Sequence, residues 1–378
     1  MNNVVDLNSA RERARNRRAV GVATDFDPQR LILARRLAGV PRTRIAAAVG
    51  VTPAAVTQYE KGASRPTIPV LAALSTALDV PEEFFRAGYP VASLSAAAAH
   101  FRSLRTTTSL ERESALAFAE IALAAFDAVE QFVELPPVAL PEFQLPPDLF
   151  TDNVTELARQ SRLSMGLGEG PVPNMVRLLE AHGVAVVEFD DASQRIDAFS
   201  HQGENRPVIV LSSLKGDKAR RRFDVAHELG HLVMHPETEP GSRLVEQQAH
   251  GFAAEFLMPA DEIRGQLPRR IDWPKLHELK RQWGVSLKAL IVRAYRLERI
   301  GEATYQRAMK QLNFWGLPEP GPLGPPETPV LLARALELID NEDPAVWVAT
   351  QTGLPRAIVD RVVGGAERQI ARPTVSLD

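Results

Sequence analysis

Cysteine is absent from this chain of 378 residues. A disulfide framework and a cysteine-ligated metal site are therefore excluded. The sequence also lacks the apolar N-terminal core of a secretory signal, and none of its apolar runs is long enough to span a bilayer. These features predict a cytoplasmic protein with no membrane partner.

An excess of charge of one sign is also missing, since the formal net charge is −3. The total charge therefore gives no argument for nucleic-acid binding, but its distribution does. Residues 11–18 contain five arginines, and residues 30–65 add further basic side chains with few acidic ones. Such a run either binds nucleic acid or is only a solvated arm. The length, with 45% hydrophobic residues, predicts two or three packed domains.

The segment His227-Glu228-Leu229-Gly230-His231 is the most informative motif in the chain. Two histidines four apart on a helix project from the same face, where both can bind one Zn²⁺ with the glutamate beside it as a base. The alternative is a helix with two surface histidines. Four of the eight histidines cluster between residues 227 and 250, however, and Glu246 in a second helix-like segment offers a third ligand.

Two segments, Arg222–Leu232 and Glu246–Pro259, together resemble the ImmA/IrrE family of metallopeptidases. The resemblance extends over about residues 155–315. It implies a zincin-like α+β domain in which His227, His231 and Glu246 bind zinc and Glu228 is catalytic. Many family members have asparagine where this chain has His250, which shares a helix face with Glu246 and can reach the metal or its surroundings.

This ligand set predicts metal-assisted peptide hydrolysis. A water in the fourth position of the zinc would attack the peptide carbonyl, and Glu228 would take its proton and pass it to the leaving amine. A donor should stabilise the oxyanion, with His250 as the first candidate and His201 as the second. His235 is either a neighbour of the site or a surface residue. The same ligands accept Mn²⁺ or Fe²⁺.

Capping residues, prolines and glycines divide residues 27–85 into five short helices. The stretch Leu31–Phe85 resembles the Cro/cI-type (XRE) helix-turn-helix family, notably in Val49-Gly50-Val51-Thr52 and Tyr59-Glu60-Lys61-Gly62. The resemblance implies that Thr52–Lys61 is a DNA recognition helix. The candidate DNA contacts are Arg42, Thr52, Pro53, Ala54, Ala55, Thr57 and Gln58.

Few of these side chains can read bases. Gln58 can make a bidentate contact with adenine, and Arg42 is placed for a phosphate. The domain therefore binds DNA with help from the arginine-rich arm or from homodimer formation, or it is a protein-docking version of the fold.

The remaining segments complete a multidomain, mainly α chain. Strands over residues 184–189, 195–200 and 207–211 predict a small three-stranded sheet in the peptidase domain, with an edge that can hold an extended peptide. Helices are expected over 91–104 and 109–133, and residues 346–363 form either a helical hairpin or, less well supported, a second helix-turn-helix. The predicted order is a basic disordered arm (1–24), an all-α helix-turn-helix domain (25–90), a helical connector (91–135), a Pro-rich linker (136–152), the α+β metallopeptidase domain (153–316), a Pro/Gly linker (317–329) and a small helical tail (330–378).

These observations predict a zinc endopeptidase that acts in transcriptional regulation. The resemblance implies that its protein substrate is a transcriptional repressor. Two alternatives stay open: a DNA-binding regulator or antitoxin whose peptidase-like half acts as a sensor, and a protease that cleaves itself near residues 136–147. The complete ligand set with Glu228 favours catalysis, and the recognition helix argues against a purely sequence-specific repressor.

Overall fold

The computed structural model describes residues 21–89, 93–95, 99–101, 108–143, 151–189, 197–213, 217–235, 242–339 and 341–370. The chain folds into two compact units. Unit 1 consists of residues 1–96, 108–132 and 339–364, and unit 2 consists of residues 97–107, 133–338 and 365–378. The fold is multidomain and mainly α, as predicted. The expected basic arm lies outside the described residues up to position 20, and residues 21–24 are helical.

The regular elements are helices of 4 to 22 residues and the strands of one small sheet. In chain order they are α1 Pro28–Leu37, α2 Arg42–Val49, α3 Pro53–Glu60, α4 Ile68–Leu78, a 3₁₀ helix Glu82–Phe85, β1 His100–Phe101, α5 Ser109–Glu130, α6 Thr151–Ser164, α7 Met175–Ala181, β2 Ala185–Phe189, β3 Ala198–His201, β4 Val208–Ser212, α8 Lys218–Met234, α9 Arg243–Leu257, α10 Ala260–Ile263, α11 Trp273–Trp283, α12 Leu287–Arg296, α13 Glu302–Trp315, α14 Leu331–Glu337, α15 Pro344–Thr352 and α16 Arg356–Ile370. None of the helices in these described ranges is both long and apolar enough to cross a membrane.

The helix-turn-helix of unit 1 is formed by α2 and α3. Gly50 ends α2 with φ of +71°, in the left-handed region that glycine adopts without a steric penalty. The Thr52 hydroxyl then accepts the backbone N–H of Ala55 at 3.1 Å and caps α3. Ile45 and Val56 are fully buried where the two helices meet. Local capping and apolar spacing thus produce this motif where the sequence predicts it.

Helix α5 packs within unit 1. Its start is a capping box between Thr108 and Glu111, and its central residues 115–126 are all buried. Arg36 of α1 donates to both carboxylate oxygens of Glu120 at 2.8 and 2.9 Å. Burial raises the pKa of the Glu120 carboxyl, and the guanidinium of Arg36 acts in the opposite direction. This segment, expected as a connector, is therefore part of the core of unit 1.

The prediction of a helix over residues 91–104 is wrong for the residues of this stretch that the structure describes. Residues 93–95 are not helical, and the N–H of Leu94 donates to the buried carboxylate of Glu120 at 2.8 Å. Residues 100–101 form β1, which pairs with β3. The alanine-rich composition favours a helix, but tertiary hydrogen bonds override this weak preference. The other residues of 91–104 lie outside the described ones.

The tail expected over residues 330–378 is divided between the units, because residues 339–364 belong to unit 1. Helices α15 and α16 are joined by a short turn that contains Gly353. A Cβ at Gly353 would lie 2.4 Å from the Tyr89 ring, so the close approach requires glycine. Arg30, 1% exposed, donates to the carbonyl oxygens of Thr352 at 2.8 Å and Gly353 at 3.2 Å. A buried cation thus caps the carboxyl end of α15.

The sheet of unit 2 has the strand order β1-β3-β4-β2. The three predicted strands are present, and β1 is an additional fourth strand that the sequence did not indicate. Strand β4 pairs parallel with β2 and antiparallel with β3, and β1 is antiparallel to β3. Because β1 covers the outer side of β3, the edges of this described sheet are β1 and β2. Helix α8 packs against β3, and α9 packs against both α8 and α6.

The Pro/Gly-rich residues 317–329 lie in unit 2, where two glutamates anchor them. Glu319 accepts the N–H of Leu287 at 2.7 Å, at the start of α12, and Lys280 Nζ at 3.2 Å. Glu327 accepts N–H groups at the start of α7 and pairs with Arg222, and both side chains of that pair are 3% exposed. Each carboxylate therefore meets a positive helix end and a buried cation.

Removing one partner of the Glu327–Arg222 pair should destabilise unit 2. Glu327→Ala would leave the buried guanidinium of Arg222 without its carboxylate, at a cost of about 3–5 kcal/mol. Urea unfolding followed by tryptophan fluorescence measures this, because Trp273, Trp283 and Trp315 lie in unit 2.

The matched control is Glu156→Ala, which breaks the exposed pair with Arg159 on α6 and should leave the unfolding free energy nearly unchanged. Equal unfolding midpoints for the two variants would contradict the anchoring role of Glu327.

Candidate metal centre

Helix α8 presents His227 and His231 on one face. Asp217 caps its start, since its carboxylate accepts the N–H of Arg220 at 2.8 Å, and the helix continues without a break to Met234. Histidines four apart lie one turn from each other, so both rings point toward the same side. Both side chains are fully buried.

Helix α9 brings Glu246 to these histidines. A close contact between the two helices sets its position. A Cβ at Gly230 of α8 would lie 3.1 Å from Cδ1 and 3.3 Å from Cβ of Phe252 on α9. Such distances are shorter than ordinary van der Waals contact, so glycine permits the helices to approach this closely.

The three side chains converge. The Nε2 atoms of His227 and His231 are 3.1 Å apart, and the Glu246 carboxylate oxygens lie 3.4 Å from His227 Nε2 and 3.5 Å from His231 Nε2. Ligands about 2.0–2.1 Å from a tetrahedral zinc are separated by about 3.3 Å. Two imidazoles and a carboxylate are also a common donor set for zinc, so this arrangement fits such an ion.

The electrostatics of Glu246 agree with a cation site. Burial alone would raise the pKa of this carboxyl, but hydrogen bonds and charge from His227 and His231 outweigh it and hold the pKa well below its usual range. Glu246 is therefore an anion at any physiological pH. Its side chain is 24% exposed, which leaves one side of the cluster open to solvent.

Glu228 lies next to the cluster and is fully buried. The Ser200 hydroxyl of β3 donates to Glu228 Oε2 at 2.6 Å. This bond holds one carboxylate oxygen in place, since both residues are 0% exposed. A carboxylate fixed in this way beside a metal site is placed to accept a proton.

The other histidines contact the site differently. The ring of His250 lies edge-on to that of His227 with centroids 4.6 Å apart, and its Nδ1 donates to the carbonyl oxygen of Glu246 at 2.9 Å. His201 is buried in β3, where its Nδ1 accepts the N–H of Gly203 at 2.9 Å. His250 therefore touches two of the three converging residues, His227 and Glu246.

His235 lies buried behind His231. Their Nδ1 atoms are 3.2 Å apart, and His235 Nε2 lies 2.9 Å from Gln248 Oε1 on α9. Burial, together with the neighbouring His231, lowers the pKa of His235 to about 4, although the bond to Gln248 acts in the opposite direction. Of the two alternatives that the sequence left open for His235, the surface position is excluded.

The candidate DNA contacts lie on α3 or next to it. Arg42, Thr52, Pro53, Ala54 and Gln58 are exposed, and Ala55 and Thr57 are partly buried. Arg42 Nε donates to Glu60, a buried carboxylate that also accepts Arg35 Nε at 2.6 Å. The Arg42 side chain is 48% exposed, so part of it remains accessible to a phosphate.

Ser200 and Gln248 are the site neighbours that the sequence did not reveal. Ser200 lies two residues after Ala198 on β3, so strand alternation places both on the side that faces α8. Gln248 lies in the apolar stripe of α9 between Val245 and Phe252, and a polar residue in such a stripe needs a buried partner. Neither signal identifies the partner, because both contacts join elements distant in sequence.

Comparison with known families agrees with this geometry. A family model described as an IrrE N-terminal-like domain, of a peptidase family, matches residues 179–295, a range that includes β2 to β4 and both helices of the converging cluster. A second, described as helix-turn-helix, matches residues 31–85. A comparison with curated proteins finds no significant match.

The close contact at Gly230 should be necessary for metal binding by His227, His231 and Glu246. Gly230→Ala requires Phe252 of α9 to shift by a few tenths of an ångström, because the new methyl group meets Cβ, Cγ and Cδ1 of this side chain. We expect weaker zinc binding in a competition with a chromophoric chelator, and a lower melting temperature.

Gly251→Ala on α9 is the matched control, since its Cβ would meet only Val154 at 3.4 Å. That change should be neutral or stabilising, by up to about 1 kcal/mol of helix propensity. If both variants bind zinc equally well, the packing argument is wrong.

Proposed function

We propose that this chain, which joins an N-terminal helix-turn-helix domain to an ImmA/IrrE-type peptidase domain, is a zinc-dependent endopeptidase in transcriptional regulation. The convergence of His227, His231 and Glu246 beside the buried Glu228 is the observation that carries this proposal. A purely structural or sensing role would not require a buried carboxylate next to the metal-binding residues.

The chain's own residues divide the chemistry between them. His227, His231 and Glu246 would hold the zinc, which when bound polarises a carbonyl and lowers the pKa of water. Mn²⁺ or Fe²⁺ could occupy the same ligands. Glu228 takes the proton of the attacking water and delivers it to the leaving amine. Ser200 keeps the Glu228 carboxylate oriented, since its hydroxyl donates to one of the two oxygens.

His250 is our candidate for the oxyanion donor. A neutral imidazole has one N–H, and in His250 this proton lies on Nδ1 and is donated to the Glu246 carbonyl oxygen. His250 therefore donates to an oxyanion only as an imidazolium with Nε2 protonated as well. His201 is the weaker candidate, because its contact with Gly203 directs it toward its own turn.

The proposed substrate is a regulatory protein, with a transcriptional repressor as the first candidate. The helix-turn-helix domain would bring the peptidase to DNA-bound proteins. Exposure of Gln58 and Pro53 on α3 supports contact with DNA through this helix. Homodimer formation would supply affinity that one recognition helix with few base-reading side chains lacks. Such a protein would work in the cytoplasm.

Replacing the general base should separate metal binding from catalysis. Glu228→Gln keeps the shape of the side chain and can still accept from Ser200, so zinc content measured by mass spectrometry should stay at one ion per chain. Cleavage of a mixed-sequence library of quenched fluorescent peptides should fall by about 10²–10⁴-fold.

A purified chain that holds none of Zn²⁺, Mn²⁺ and Fe²⁺, or a Glu228→Gln variant as active as the unaltered chain, would rule out the metallopeptidase activity. Zinc binding without cleavage by the unaltered chain, together with protection of a DNA site, would favour the sensing regulator instead.

Gln58 should determine base preference in unit 1. After selection from a randomised DNA duplex pool, Gln58→Ala should lose preference for adenine at one position, worth about 1–3 kcal/mol. Arg42→Ala, which removes the candidate phosphate contact at the start of α2, should weaken binding to all sequences equally and reduce the salt dependence of binding. Fluorescence anisotropy measures both effects. An unchanged preference in Gln58→Ala would exclude α3 as the reading helix.

A further inference from the structure

The two ring nitrogens of His231 face different partners. Nε2 faces the converging cluster, 3.1 Å from His227 Nε2 and 3.5 Å from the Glu246 carboxylate. Nδ1 faces the other way, 3.2 Å from His235 Nδ1. A histidine that binds a metal through one nitrogen usually donates the N–H of the other to a carboxylate, a backbone carbonyl or water. In this chain the recipient is a second imidazole.

This contact determines the positions of the ring protons. Zinc binding requires a lone pair on His231 Nε2, so the single proton of the neutral ring must lie on Nδ1. His235 Nδ1 must then accept it, which places the proton of His235 on Nε2. That N–H lies 2.9 Å from Gln248 Oε1, an oxygen that only accepts. One arrangement of protons thus satisfies every contact from Gln248 to the cluster.

We propose that Gln248 is a positioning residue, which acts through His235 to hold His231 in the form that binds zinc. This inference rests on the proposed metallopeptidase function. Gln248 is 9% exposed and His235 3% exposed, so water does not readily replace either contact. Gln248 lies on α9, two residues after Glu246, and His235 follows α8. We call the hydrogen-bonded series Gln248–His235–His231 the relay. It joins both helices that carry the ligands.

The relay has a consequence for ligand strength. A hydrogen bond from His231 Nδ1 increases electron density on Nε2, and the bond from His235 to Gln248 strengthens it in turn. Loss of the acceptor at position 248 would leave the Nε2–H of His235 buried without its partner. His235 would then favour the proton on Nδ1, where it opposes the N–H of His231. Zinc affinity should decrease for this reason, although no ligand is altered.

Zinc affinity of three full-length variants tests the relay, with zinc itself as the probe and a chromophoric chelator as the competitor. Gln248→Met removes the acceptor at similar volume and should weaken zinc binding by about 10–100-fold. Gln248→Glu restores an acceptor and should bind zinc at least as tightly as the unaltered chain. Gln247→Met, at the exposed neighbouring position, should change nothing. The far-ultraviolet circular dichroism of the metal-free proteins should be the same.

Nitrogen-15 spectra of histidine side chains provide a second measurement. In the zinc-loaded chain His231 should carry its proton on Nδ1, and His235 should carry its proton on Nε2. In Gln248→Met the proton of His235 should no longer lie on Nε2. The relay would be overturned, while the proposed function stands, if Gln248→Met bound zinc as tightly as the unaltered chain. The same would hold if Gln248→Met and Gln248→Glu weakened zinc binding equally. An unaltered chain that binds no zinc would overturn both.

Discussion

The close approach of α8 and α9 is the constraint on which the peptidase unit depends. Neither helix holds a complete site: α8 supplies two imidazoles and α9 a carboxylate. Gly230 allows Phe252 to pack directly against the backbone of α8, and this contact brings Glu246 within 3.5 Å of both rings. Close-packed protein interiors transmit small shifts, so the position of Glu246 depends on this contact. The packing of α8 against α9 at Gly230 therefore determines the geometry of the candidate metal ligands.

Buried charges connect segments that are distant in sequence. In unit 2, Glu327 joins the start of α7 to Arg222 of α8, so the Pro/Gly-rich segment supports the helix that carries the histidines. In unit 1, Arg30 joins α1 to the end of α15. A buried charge without its partner is costly, and each pair therefore tolerates few alternative arrangements. The long loop of residues 317–329 is ordered for this reason.

Much of the architecture could be predicted from local sequence. Capping residues and glycines determine α2 and α3, and the spacing of His227 and His231 places them on one face. The meeting with Glu246 was an expectation from family resemblance, and the structure brings the three side chains together. Strand β1 was missed because Ala-rich residues favour helix locally, while pairing with β3 is a distant interaction. Ser200 and Gln248 were missed for the same reason, since each acquires its role from a partner on another element.

Unit 1 is discontinuous in sequence, because residues 339–364 belong to the same unit as the described residues 21–89 and 108–132. Residues 133–338, which include the peptidase-family domain, thus lie in sequence between two segments of unit 1. Cleavage of the backbone near residues 136–147 would break the covalent connection. Arg30 would still donate to the carbonyl oxygen of Thr352, and Phe132 would still pack edge-on against Trp347. Cleavage of the chain and release of its DNA-binding half are therefore separate events, and the second requires residues 339–364 to separate from the rest of unit 1.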